Sequence, residues 1–350
     1  AEQQATLDKL AGEYADELAN LGVRVSNLEK KVGNLYWSGD ARMRYTASSS
    51  DKKADVYDGR IRLNVKGQVN DATYVQGQFV NNMNFKDEAS SNTTMAQIYV
   101  NHNFNKNVAV RLGRQPIAFG NQGGWLYNGL EGYDGAQASY NNGKLSLTTG
   151  FGQLNASVFT DDTDPDGNVI SYGVTGTDMY FAKGAYDFGF AKLGADYVKF
   201  QGDTNSTDHY VAGDELYGIN LNIPVQKFNV FGEYWKNTNA ADKYDTAWNA
   251  GLSYGKADWK KAGTWDLSVA YNDVDYNVYF GGGTWHNDML KNFTAGYLNA
   301  YNLTFWTAIA NVTLQKNVQL HAEYAFAADA EGTNGVDPDD SWTVSLNYKF

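Results

Sequence analysis

Apolar positions along this chain follow two periods, and the change between them divides it. From Leu7 to Leu35 they recur at alternating spacings of four and three: Leu7, Ala11, Tyr14, Leu18, Leu21, Val25, Leu28, Val32 and Leu35. That is a heptad seam, with Ala11, Leu18, Val25 and Val32 at a and the others at d. It predicts a coiled-coil helix over residues 1–35 that buries its stripe against other copies. The bland alternative is a lone helix packed on a globular domain. From Tyr36 onward the period is two. In Arg60-Ile61-Arg62-Leu63-Asn64-Val65-Lys66 apolar residues hold one parity and charged or polar residues the other, as in a strand whose faces meet different solvents.

Segments of this kind predict sixteen strands, near 36–47, 57–70, 72–86, 93–104, 107–115, 134–142, 144–152, 177–187, 189–200, 213–223, 225–237, 244–255, 263–273, 302–314, 317–328 and 340–350. Tight joins such as Asn70-Asp71, Asn105-Lys106-Asn107, Asn142-Gly143 and Gln315-Lys316 alternate with long loops rich in Gly, Asp and Asn. Transmembrane barrels are built this way, with short turns at the periplasmic end and long loops outside. The expected fold is all-β: an antiparallel membrane barrel over residues 36–350, behind an α-helical stalk over 1–35. An even strand number puts both barrel ends on the stalk side. A soluble β-sandwich would also alternate, but it has no need of aromatic girdles or of the terminal strand Ser341 to Phe350, which alternates to its last residue.

Composition sharpens this picture. Aromatics make up 15% of 350 residues, with 25 Tyr, yet mean hydropathy is −0.51. Rings combined with hydrophilicity suit strands that alternate between lipid and lumen. No apolar run approaches the roughly 18 to 20 residues of a spanning helix, so a membrane crossing has to be a closed barrel. Cys is absent, which excludes disulfides and thiolate chemistry, and a net charge of −12 argues against nucleic acid as a partner.

Parity then assigns faces. With Ala41, Met43, Ile61, Leu63 and Val65 towards lipid, Arg42, Arg44, Arg60, Arg62 and Lys66 line the lumen, and Arg111 follows between Val110 and Leu112. An Arg on the lipid side at mid-membrane would cost about 2 to 4 kcal/mol. Asp162-Thr163-Asp164-Pro165-Asp166-Gly167 looks like the start of a calcium loop, but Gly173 stands where an EF-hand needs Glu; a solvated acidic loop is the default. His321 and Glu323 share a strand face, but no nucleophile motif marks a catalytic site. No enzymatic activity, cofactor or resident metal is expected.

Several segments resemble known families. Arg24-Val25-Ser26-Asn27-Leu28-Glu29 resembles the Arg-h-x-x-h-Glu motif of three-stranded coiled coils. The a and d residues alone lean towards a dimer; the Arg24 and Glu29 pair, laid over Val25 and Leu28, points to a homotrimer. Gly113-Arg114-Gln115 resembles the opening of the third loop of general porins, which folds into the barrel. On that resemblance Arg114, Gln115, Glu131 and Asp134 belong to a constriction, with the two acids opposing the Arg wall or remaining as solvated rim charges. The terminal Phe350 resembles the assembly signal of bacterial outer-membrane proteins. Leu18 to Val32, leading into a barrel near Trp37, resembles the OmpM family of outer-membrane porins and tethers of diderm Firmicutes. That resemblance implies a trimeric channel for small hydrophilic solutes in the outer membrane, bedded in lipid and lipopolysaccharide, with its stalk in the periplasm. Peptidoglycan would be reached through an S-layer-homology domain outside this chain. A wall anchor with a largely closed barrel is the competing reading.

Overall fold

The computed structural model describes residues 12–15, 17–19, 21–23, 33–49, 55–85, 91–120, 125, 127–154, 162–163, 169–170, 177–201, 215–240, 243–278, 289, 300–332 and 337–350. Its strands, in chain order, are β1 (Leu35–Ser48), β2 (Val56–Gln68), β3 (Thr73–Asn84), β4 (Ser91–Asn103), β5 (Val108–Phe119), β6 (Tyr127–Asn141) and β7 (Leu145–Leu154). A two-residue ribbon follows, β8 (Asp162–Thr163) with β9 (Val169–Ile170). Then come β10 (Thr177–Asp187), β11 (Lys192–Gln201), β12 (Glu215–Val225), β13 (Phe228–Asn237), β14 (Thr246–Gly255), β15 (Trp265–Asp275), β16 (Ala300–Gln315), β17 (Val318–Gly332) and β18 (Ser341–Lys349).

Sixteen of these close into one antiparallel barrel, in which β1 pairs with β18. Closure leaves no free sheet edge. At the seam Gly39 and Phe350 exchange both backbone hydrogen bonds, at 2.8 and 3.0 Å. A Cβ on Gly39 would meet the Phe350 ring, so a glycine is needed where the terminal aromatic folds over the join.

Tight turns are closed by short polar side chains, which mimic a backbone turn. Asn105 Oδ1 accepts from the amides of Asn107 and Val108, Asn142 Oδ1 from those of Lys144 and Leu145, and Asp187 Oδ1 from that of Gly189. Gly143 and Asn317 supply the left-handed conformations at φ 92° and 64°. All these turns and both barrel termini lie at one end of the sheet.

The outward face is apolar. Met43, Ile61, Leu112, Leu147, Ile219 and Leu252 are exposed on it. Exposed rings flank this band: Trp37, Phe104, Phe190, Phe228 and Trp265 at the turn end, and Tyr57, Tyr180, Tyr217, Tyr234 and Tyr324 at the loop end. At the loop end several hydroxyls donate to carboxylates, Tyr45 to Asp55, Tyr197 and Tyr217 to Glu215, and Tyr324 to Asp340.

Ahead of the barrel, residues 12–15, 17–19 and 21–23 are helical, with Tyr14, Leu18 and Leu21 more than half exposed in the single chain. Arg24, Val25, Leu28 and Glu29 lie outside the described residues, as does most of the candidate calcium loop. Among the described residues no helix is long and apolar enough to cross a membrane.

Candidate functional site

The inner wall begins with β1 and β2, where register sets Asp40 opposite Arg62, Arg42 opposite Arg60 and Arg44 opposite Asp58. Outward neighbours Met43 and Ile61 fix these six side chains on the inner face. Arg44 forks onto Asp58, with Nε 2.8 Å from Oδ2, and Arg62 Nε reaches both oxygens of Asp40 at 2.8 and 2.9 Å. The four arginines therefore stand interleaved with two aspartates rather than as an uninterrupted ladder. The aspartates carried a sequence signal: Asp40 and Asp58 have the inward parity of Arg42 and Arg60.

Lys66 and Arg111 lie apart from this group and each caps a ring, Lys66 over Tyr74 at 4.4 Å and Arg111 over Tyr99 at 4.5 Å. Between them an amide chain runs from Gln97 to Gln78 (3.3 Å) and from Gln78 to Asn64 (2.7 Å).

The second part of the site is the loop end of β5 and β6. Gly113 has φ +120° and Gly132 φ +51°, and the register shifts between Gln115 and Ile117 around Pro116. A Cβ at Gly132 would strike the backbone of Gln115, Pro116 and Ile117, so only glycine lets the two arms bend together there. Pro116, with no N–H to place in a ladder, occupies the irregularity.

Beyond the bend the arms lean onto the inner wall. Phe119 packs edge-on against Phe181 of β10 at 5.9 Å and against Trp235 of β13 at 6.4 Å. Since β13 lies six strands from β5 around a sixteen-strand sheet, the hairpin end reaches across the lumen. Its backbone is held by charged groups. Lys183 Nζ donates to the Ala118 carbonyl, and the Gly120 amide donates to Asp196 Oδ2 at 3.3 Å. Gly120, at φ +86°, lies so close to the Glu233 carboxylate that a Cβ would collide with it.

Around this contact the inner wall of β10 to β16 is apolar near the loop end. Phe181, Val198, Phe200, Leu216, Trp235 and Leu303 form one buried cluster with Ile117, Phe119, Tyr127 and Tyr133. Those wall residues were legible as breaks in the alternation, since Tyr180-Phe181 and Tyr234-Trp235 put rings on both faces.

The remaining sequence-derived residues separate. Gln115 is fully buried at the bend and donates to the Gly135 carbonyl at 3.2 Å. Arg114 and Asp134 form a bidentate pair at 2.8 Å, but Arg114 pairs in register with Ile98 and follows Leu112 by two, so the pair belongs to the outward face. Asp134 consequently does not oppose the Arg wall. The backbone of Glu131 lies in β6, and its side chain is outside the described residues. His321 is held at both ring nitrogens, 2.7 Å from Asn311 Oδ1 and 2.8 Å from Glu323 Oε1. Among the described residues no cluster of three His, Asp or Glu side chains could hold a metal.

No protein-family model and no curated protein matches this sequence. Solved structures do match in shape. OprB of Pseudomonas putida, in a high-pH structure, aligns with TM-score 0.59 and 11% identity over 94% of this chain and 96% of that one. One mutant of the Rh. blastica porin aligns with TM-score 0.56 and 11% identity, over 90% of this chain and 100% of that one. A second mutant of that porin gives TM-score 0.55 and 10% identity over the same shares. At such identity the likeness is one of fold: this chain closes the same kind of barrel as proteins named porins.

Proposed function

We propose that this chain is an outer-membrane porin, a water-filled channel for passive diffusion of small hydrophilic solutes. The observation that carries this reading is the inversion of the sheet: a closed sixteen-strand barrel with an apolar, aromatic-girdled outside and a wall of Arg, Asn and Gln within. That is a structure made for lipid around it and water through it, and barrels of about this size normally enclose an aqueous passage. Its short turns then face the periplasm and its long loops, with their Tyr and carboxylate rim, face lipopolysaccharide and the exterior.

In this reading Arg42, Arg44, Arg60, Arg62, Lys66 and Arg111 form the basic side of the pore. The inturned end of β5 and β6, reached through Gln115, narrows it. The heptad helix joins three copies through Val25 and Leu28, with Arg24 meeting Glu29 of a neighbour, and leads through the periplasm towards a peptidoglycan-binding domain outside this chain. The resemblance of Leu18 to Val32 to OmpM-type linkers supports this last step.

Liposome swelling with sugars of increasing size tests the channel. Uptake should fall steadily with solute size. A second reading, a membrane anchor with a closed barrel, draws on the buried apolar cluster between the hairpin and β10 to β16. It predicts no uptake of even the smallest sugar.

A further inference from the structure

The inner faces of β1 and β2 form a grid of three rows, and the middle row is built unlike its neighbours. The first row sets Asp40 against Arg62 and the third sets Arg44 against Asp58, while the middle sets Arg42 against Arg60. Like charges directly opposed across two strands are destabilising. The row continues without an acid on either side, to Asn347 of β18 beside Arg42 and to Asn82 of β3 beside Arg60.

Each aspartate is engaged first by the arginine of its own row. What reaches the middle is weaker: Arg42 Nη2 is 3.5 Å from Asp58 and Arg60 Nη2 is 3.4 Å from Asp40. The Nε–H groups of Arg42 and Arg60 are both buried with no hydrogen-bond partner. Arg42 is sunk to 8% side-chain exposure, whereas Arg44, Arg60 and Arg62 remain 20 to 25% exposed and leave a way in from the lumen. A buried charged donor left unmade is costly, and two of them on register partners, in a grid of four cations and two anions, make the middle row a place where an added oxyanion would be stabilised. Guanidinium forks match the geometry of phosphate and carboxylate oxygens.

We propose that Arg42 and Arg60 form an oxyanion subsite on the lumen wall, taking the dianionic phosphate-type group of a small solute. The inference rests on the reading of the barrel as a solute channel, because the lumen is the solute's route to the site. The grid's two excess positive charges suit a dianion better than chloride, and Asp40 and Asp58 hold the outer arginines back so that the middle pair stays open.

Calorimetric titration of the detergent-solubilised full chain with inorganic phosphate, in chloride buffer, tests it. Phosphate should bind saturably, and R42Q and R60Q should each weaken binding at least tenfold. D58N removes the nearest competing carboxylate and should tighten binding several-fold, a gain that damage to the fold would not produce. Absence of saturable binding to the unmodified protein overturns the proposal, and so does binding that the three substitutions leave unchanged. The readout needs no conduction, so failure here leaves the channel reading standing, and a silent barrel would leave this test intact.

Discussion

Replacing Lys183 with methionine keeps the bulk of the stem and removes the ammonium that ties the inturned hairpin to the wall. In the native arrangement Nζ donates to the Ala118 carbonyl and lies over the Phe119 ring, 5.3 Å from its centroid. A hydrogen bond with one charged partner contributes about 1.5 to 3 kcal/mol net. Each 1.4 kcal/mol is a factor of ten, so detachment of the hairpin should become about 10- to 100-fold more populated. A separate cost falls on the wall: Lys183 stands opposite Asp196 in register, and with Asp196 and Glu233 only 7% and 4% exposed, losing the cation leaves buried acidic groups less compensated. Single-channel recording separates the two effects. The K183M current should be larger on average and noisier than that of the parent. Adding D196N should recover thermal stability by restoring charge balance, without quieting the current. An intact K183M barrel with unchanged conductance and noise would refute the idea that this lysine pins the hairpin.

Three further variants probe other parts of the account. G132A places a Cβ at φ +51° against the backbone of Gln115; the left-handed conformation alone costs about 1 to 2 kcal/mol, and thermal unfolding followed by circular dichroism should show at least that loss. R60Q combined with R62Q should move the reversal potential under a salt gradient towards cation selectivity, because the β1 and β2 wall then keeps two arginines against Asp40 and Asp58; no shift would mean that the wall lies off the ion path. For the proposed three-stranded helix, R24A should reduce cross-linked trimer, by the about 0.2 to 1 kcal/mol of a surface ion pair, and an unchanged oligomer would remove Arg24 from the proposed interface.

Strand count and placement were legible because period two leaves its mark on every strand whose two faces meet different surroundings, here an apolar outside and a polar lumen. The expected 177–187 is the observed β10, and most other limits differ by one to three residues. The largest departure is in β6, which reaches back to Tyr127 from an expected start at 134, and its partner β5 runs on to Phe119 beyond the segment expected at 107–115. Past the Gly113 and Gly132 bend one face of the hairpin, with Ile117, Phe119 and Tyr127, packs on the inner wall, while Pro116 and Ala118 hold the other parity of β5, so apolar residues fill both parities there and the alternation fades. Arg114 shows the converse. Strict parity from Leu112 puts it outward, where the structure has it, whereas the motif Gly-Arg-Gln pointed to the lumen. The pairing of Asp40 with Arg62 and Asp58 with Arg44 depended on cross-strand register, which single-strand periodicity does not contain.

The central claim, that this barrel is an open passage, meets its most direct test in planar bilayers. Purified protein added to one chamber should produce steady ohmic current steps, closing in thirds for the proposed trimer. A membrane that stays silent after verified insertion would contradict the account.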